Sequence, residues 1–243
     1  MINRYVFRVN TNDQIPAWRA YAFYSCLISL VSEEYAEELH EQGKTQISQC
    51  LYHDNSDVLW RIHLLDRSAS DAFSAVLDDL KILPLNSGEL GLELLKKETF
   101  AAEKLIENAR AIESERFFSL RFLSATAFKQ RGRYTVYPDI ELILQSLLKK
   151  WNAVYPTYPL EDEDAFHMLS DGIRISDYNL HTTRYLLKES RIPGFIGNLR
   201  VDAQLSAPLL DIWKILICFS ECSGIGIKNA LGMGGVAISK TVF

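Results

Sequence analysis

APLLDIWKILICFSECSGIGIKNALGMGGVAISKTVF, residues 207–243, decides the architecture of this chain. Pro208 stands where a first helical turn tolerates proline, and the run to Cys222 is apolar enough for a buried helix ending at Gly224. The tail from Gly234 to Phe243 reads as a strand. Between them lie Gly224, Gly226, Gly232, Gly234 and Gly235, five of the chain's 12 glycines. This is neither a Walker loop, which needs Gly-Lys-Ser/Thr after four spacers, nor a dinucleotide fingerprint, which runs from strand to helix. Two interpretations stay open. The glycines bring backbone N–H groups, with Lys228, up to a phosphate, or they form a structural connection.

Working back from that segment, a helix followed by a final strand closes a repeated order. In the second half, residues 116–128 suggest a strand and Pro138 opens a helix through Trp151. An irregular stretch carries Pro156, Pro159 and the acids 161–164; paired strands over 173–187 and 193–203 then meet around Ser190-Arg191. In the first half, 2–9 alternate as a strand, Pro16 opens a helix, Ser32 caps its continuation, and Gly43 stops it. Residues 45–52 and 57–65 suggest strands about a turn at His53–Asp57, 68–80 a helix, and 90–99 a strand. Each half is β-α-β-β-α-β. The fold class is therefore α+β, with tandem ferredoxin-like (RRM-like) domains over 1–110 and 111–243 and a C-terminal glycine-rich loop. A single open sheet with long insertions is the alternative.

Composition limits the function. Hydrophobic types at 48% and charged types at 23% suit a packed core and exclude wholesale disorder. No apolar run approaches the ~20 residues of a membrane span, and the start MINRYVFRVN lacks a signal-peptide core, so a cytoplasmic protein without membrane partners is expected. The four cysteines make no disulfide scaffold. A formal charge of −5 opposes nonspecific coating of nucleic acid, yet the charges segregate. Acids gather at 33–41 and 161–164; Arg116, Arg121, Lys129, Arg131 and Arg133 fall within 18 positions, with Arg184, Lys188, Arg191 and Arg200 beyond. No cofactor is expected and no metal site: His-x-x-x-His, paired Cys-x-x-Cys and a carboxylate triad are absent, as is a G-x-S-x-G elbow.

Four stretches carry a resemblance. SGIGIKNALGMGGV (223–236) resembles the C-terminal glycine signature of the CRISPR repeat-RNA processing endoribonucleases, within the wider repeat-associated RNA-binding proteins of paired ferredoxin-like fold. LRFLSATAFKQRGRYTVYPDIELILQSLLKKWN (120–152) resembles the start of that family's second domain, RIPGFIGNLRV (191–201) its central hairpin, and LHEQGK (39–44) the end of its first helical region. The resemblance implies metal-independent cleavage of repeat RNA in precursor transcripts, the 2′-OH attacking the adjacent phosphate and leaving a 2′,3′-cyclic phosphate (or 3′-phosphate) and a 5′-OH. It implies that His40 is catalytic and that Lys44 is the matching lysine. The helix offers Tyr21 and Tyr24, while the position aligning with the family's tyrosine falls near Ile28 or Ser29; Tyr24 is carried as the third catalytic candidate.

For RNA contact the candidates are Lys129, Arg131, Arg133, His181, Arg184 and Arg191, with Gly224, Gly226, Lys228, Gly232 and Gly234 of the loop. His53, His63 and His167 are assigned structural or surface roles. The resemblance implies precursor and mature CRISPR RNA as the partner; interference-complex subunits and a homodimer are left open. A related protein that binds such RNA without cutting it, and an unrelated α+β enzyme, are the competing functions.

Overall fold

A computed structural model of the chain describes residues 1–11, 13–35, 46–85 and 88–239. The alternation of β1 (Ile2–Asn10) sends Tyr5, Phe7 and Val9 into a core, where Phe7 lies opposite Trp60 with ring centroids 5.8 Å apart. A 3-10 turn (Ala17–Arg19) leads into α1 (Ala20–Ser29). β2 (Ile47–Asp54) and β3 (Asp57–Leu64) form a hairpin whose turn is Asn55-Ser56, tighter than expected, with Asn55 left-handed at φ 52°. The Asp66 carboxylate accepts from the Ala69 N–H at 2.8 Å and starts α2 (Arg67–Asp79), which buries Ala69, Phe73 and Leu77. β4 (Ile82–Leu85) and β5 (Gly88–Phe100) follow. The sheet order β2-β3-β1-β5-β4 is antiparallel throughout and is the ferredoxin order with one added edge strand, β4, which the alternation did not reveal.

α3 (Ala102–Arg110) connects the halves. The second sheet takes β6 (Phe117–Thr126), β9 (Ile173–Leu187), β10 (Ser190–Ala203) and β11 (Val236–Ser239) in the order β11-β6-β10-β9, again antiparallel and ferredoxin-like. α4 (Ile140–Val154), capped by Asp139 on the Leu142 N–H, and α6 (Ala207–Ser223) cover one face; Trp151 on α4 meets Phe219 on α6 edge-on at 5.3 Å.

Three expectations change. The stretch 116–128 is not one strand: β6 ends at Thr126, and a short hairpin of β7 (Phe128–Gln130) and β8 (Arg133–Thr135) begins after Ala127. The acidic run is not irregular. Asp162 caps α5 (Glu163–Gly172) by accepting from the Ala165 N–H at 2.7 Å, and Glu163 and Asp164 lie in its first turn, where the helix dipole favours them. Ser190 and Arg191 belong to β10, since the turn lies one step earlier, with Lys188 at φ 52°.

One core serves the first sheet with α1 and α2; a larger one serves the second sheet with α3, α4, α5 and α6 and also takes in Ile2, Leu65 and Phe100. A third, smaller cluster of Ala125, Ala127, Tyr185, Ile192 and Met233 lies beside Trp18 of the first half. The glycine segment sits at this seam.

Candidate functional site

The seam is built from the glycine segment outward. α6 ends at Gly224, whose N–H donates to Ser220 O at 2.8 Å. The N–H groups of Ile225, Ile227, Gly232 and Gly234 donate to Gly234 O, Ala127 O, Asn229 O and Ala125 O, respectively. Those of Gly226 and Gly235 donate to the hydroxyls of Ser146 and Ser124, each at 2.9 Å. The Asn229 amide closes the loop from within, donating to Ile225 O and Met233 O. The sequence left open whether this segment cradles phosphate or connects helix to strand. The hydrogen bonds take the second course for Gly224, Gly226, Gly232 and Gly234, whose N–H groups all point into the protein. Gly226 (φ 80°) and Gly234 (φ 72°) need left-handed backbone, and a Cβ on either would meet a carbonyl oxygen, of Ala127 and Ile225 respectively. Gly232 is wedged between Ala20 and the Tyr185 hydroxyl. Lys228 stands apart: it is exposed.

Sequence reasoning missed the side chains that hold this loop. The buried Lys150 ammonium donates to Gly224 O at 2.9 Å and Gly226 O at 3.1 Å, and burial lowers its pKa to about 7. Its position after Ile143 and Leu147 on the apolar stripe of α4 was the available signal. From the first half, the Gln49 amide donates to both Ala20 O and Ala230 O and accepts from the Trp60 indole. Buried Arg61 donates to Val236 O at 2.7 Å, while among the described residues its Nε has no hydrogen-bond partner. The Gln49 bonds fasten the loop to the start of α1, and Arg61 ties β3 to β11.

Tyr24 lies one turn beyond Ala20 on α1, so the two share a face. It is half-buried against the first core, and burial raises its phenol pKa. His40 and Lys44, the other catalytic candidates, lie outside the described residues, as does the stop at Gly43. The remaining histidines separate clearly. His63 is buried and its Nε2 accepts from Arg4 Nε at 2.9 Å, which fixes a neutral ring; desolvation and then Arg4 and Arg61 hold its pKa well down. The His53 ring lies 3.1 Å from Ile15 O, His167 is exposed at the end of an edge-on contact with Phe166, and His181 is exposed on β9. Among the described residues no three His, Cys, Asp or Glu side chains converge as a metal cluster.

A second surface collects the other candidates. Lys129, Arg131 and Arg133 project from the β7–β8 hairpin, Arg184 from β9 and Arg191 from β10. All are exposed, and among the described residues none is in an ion pair. Arg8 and Arg116, by contrast, are each tied to carboxylates, Asp57 with Glu93 and Asp202. In a chain of net charge −5, this concentration of free cations is a surface suited to a polyanion. β8 runs directly into Val136-Tyr137-Pro138, one wall of a cleft of about 340 Å³ whose other side is β9.

The sequence profile of the CRISPR-associated endoribonuclease Cas6 matches residues 120–236. A CRISPR-associated endoribonuclease Cas6 of Streptococcus thermophilus is 30% identical over 240 residues, covering 98% of this chain and 99% of that protein. Among solved structures, the Cas6 (TTHA0078) product complex superposes with a TM-score of 0.79 at 20% identity, over 98% of this chain and 100% of that one. Thermus thermophilus Cas6 (TTHB231) gives 0.75 at 23% identity, over 98% of each. The two structures share the tandem ferredoxin-like fold.

Proposed function

The chain belongs to the CRISPR-associated endoribonuclease Cas6 family, and from that membership we propose that it cuts repeat RNA in precursor CRISPR transcripts without a metal ion. The observation that carries RNA as the ligand is the exposed surface of Lys129, Arg131, Arg133, Arg184 and Arg191, none in an ion pair among the described residues. Lys228, exposed at the seam beside α1, adds a further phosphate contact. The glycines around it contribute rigidity, since their N–H groups are already engaged.

The chemistry proposed is attack of a ribose 2′-OH on the adjacent phosphate, leaving a 2′,3′-cyclic phosphate (or 3′-phosphate) and a 5′-OH. His40 takes the 2′-OH proton as the oxygen attacks and a proton is delivered to the departing 5′-oxygen; an imidazole suits this because it exchanges protons near neutral pH. Lys44 stabilises the charge that grows on the phosphorane. Tyr24 is the third member. Burial keeps its phenol protonated, so it acts as a hydrogen-bond donor rather than as a base. The seam supports this assignment by fixing α1: Gln49 ties Ala20 O to Ala230 O. The proposed setting is the cytoplasm; among the described residues no helix is long and apolar enough to cross a membrane.

The test is incubation of the purified protein with a repeat RNA from its own source in excess EDTA, followed by end-group analysis. One cut per repeat with 2′,3′-cyclic phosphate or 3′-phosphate and 5′-OH ends is the expected result. Binding without a cut would support a non-cleaving relative. A cut requiring a divalent ion, on an RNA shown to fold without it, would overturn metal independence.

A further inference from the structure

The cleft beside the cationic hairpin has no part in the chemistry just described. Val136, Tyr137 and Pro138 line one side; Ile175, Tyr178, Leu180, His181 and Thr182 of β9, with Phe195 of β10, line the rest. Its volume, about 340 Å³, is at the small end of the range for sites that enclose small organic groups. In the β9–β10 ladder Tyr178 faces Leu199, Leu180 faces Gly197 and Thr182 faces Phe195, so these residues share one face of the sheet. Gly197, opposite Leu180, carries no side chain, and a Cβ on it would meet Asn179 O and the Leu180 backbone. Arg184 follows Thr182 on the same face, opposite Pro193.

Two features say what the cleft holds. Tyr137 and Tyr178 are 61% and 67% exposed, although each lines a largely apolar hollow. Both are large aromatic side chains left open to solvent at the cleft. The approach is cationic: Arg133 lies four residues before Tyr137, Arg184 two after Thr182, and neither is in an ion pair among the described residues. A flat aromatic guest attached to an anionic chain meets both conditions. RNA presents such a group wherever a base is unpaired, and proteins take up such bases by stacking them on aromatic side chains while cations hold the backbone.

We propose that the cleft between the β8–α4 connection and strand β9 takes one unpaired nucleobase of the bound RNA, stacked against Tyr137 and Tyr178. Arg133 and Arg184 hold the flanking phosphates. The Thr182 hydroxyl is placed to meet the base edge. This deepens the function proposed above and rests on it. It adds a contact that selects RNA carrying a flexible, unpaired nucleotide at a fixed distance from the cut.

The experiment uses the full chain and a repeat RNA with a 2′-deoxy scissile nucleotide, so that affinity is read without turnover. An abasic nucleotide is moved through each unpaired position. The wild-type protein should lose affinity roughly tenfold at one position. Tyr137→Ala and Tyr178→Ala should weaken binding of the intact RNA by a similar factor and become indifferent to that abasic site; Tyr→Phe variants should retain both. The rings are exposed, so thermal melts should stay within a few degrees of wild type. Variants that melt normally and bind every RNA as the wild type does would overturn the cleft assignment and give the hollow to another partner. A wild-type protein that neither binds nor cuts repeat RNA would overturn the functional reading itself.

Discussion

His40 carries the proposed chemistry, and its replacement is the sharpest residue-scale prediction. His40→Ala should slow single-turnover cleavage by roughly 10²-fold or more, the size expected when a general acid or base is lost. Affinity for the RNA should barely change, because one neutral imidazole adds little to phosphate binding. Rates near wild type would remove His40 from the site. Lys44→Ala should be milder, since arginines and water partly replace a stabilising cation. At the seam the expectation differs in kind. Gly226→Val and Gly234→Val should each cost about 2 kcal/mol or more of stability, because the new Cβ meets a backbone carbonyl in a left-handed conformation. Thermal melts should drop while folded fractions of both variants keep RNA affinity. Lost affinity with unchanged melting would return these glycines to the phosphate site. The glycines were legible in the sequence as a motif; their role was not. A glycine that opens its N–H to a ligand and one that avoids a carbonyl look alike until the acceptor, here Ala127 O or Ile225 O, is in place.

At the scale of elements, Lys150 links α4 to the glycine segment. Its folded pKa is lowered to about 7 by burial, against 10.5 for the exposed side chain. Between those values the unfolded chain binds the extra proton and the folded chain does not. Its contribution to stability therefore rises with pH across that window, by on the order of 1 kcal/mol per pH unit at most. Below about pH 7 both states are charged and the cost of burying the ammonium is felt in full. Denaturant midpoints measured from pH 7 to pH 9 should climb for the wild type, and Lys150→Met should flatten that climb. An unchanged slope in the variant would show that other groups set it. Most elements were readable from period and punctuation: the stripe of Ala69, Phe73 and Leu77 gave α2, and the alternation around Tyr5 and Phe7 gave β1. α5 was hidden because four acids and nearby prolines look like a solvated loop, whereas an Asp162 cap turns the same charges into a favourable helix start. The β7–β8 hairpin was hidden because its three-residue strands are too short for alternation to register.

For the whole molecule, the tandem order was legible because each half repeats the succession of strand and helix signals. The seam was not, since nothing in a single sequence pairs Gln49 with Ala230 or Arg61 with Val236. α3 shows the consequence. Residues 1–110 and 111–243 are proposed as domains, yet Ala102 and Leu105 of α3 join the core of the second sheet. A fragment of residues 101–243 should accordingly melt more cooperatively than one of residues 111–243, and urea unfolding followed by tryptophan fluorescence compares them. Equal midpoints would mean that α3 adds nothing to the second domain. With the proposed catalytic residues in one half and the cationic surface in the other, the proposed RNA path spans both halves.

That account rests on the RNA's own 2′-hydroxyl as the nucleophile. The direct measurement is a single-turnover assay on a repeat RNA whose scissile nucleotide alone is 2′-deoxy, beside the all-ribose RNA. The account predicts equal binding of the two RNAs, cleavage of the second, and none at that bond in the first. Continued cutting of the 2′-deoxy bond would contradict it, because the attacking oxygen would then have to come from water.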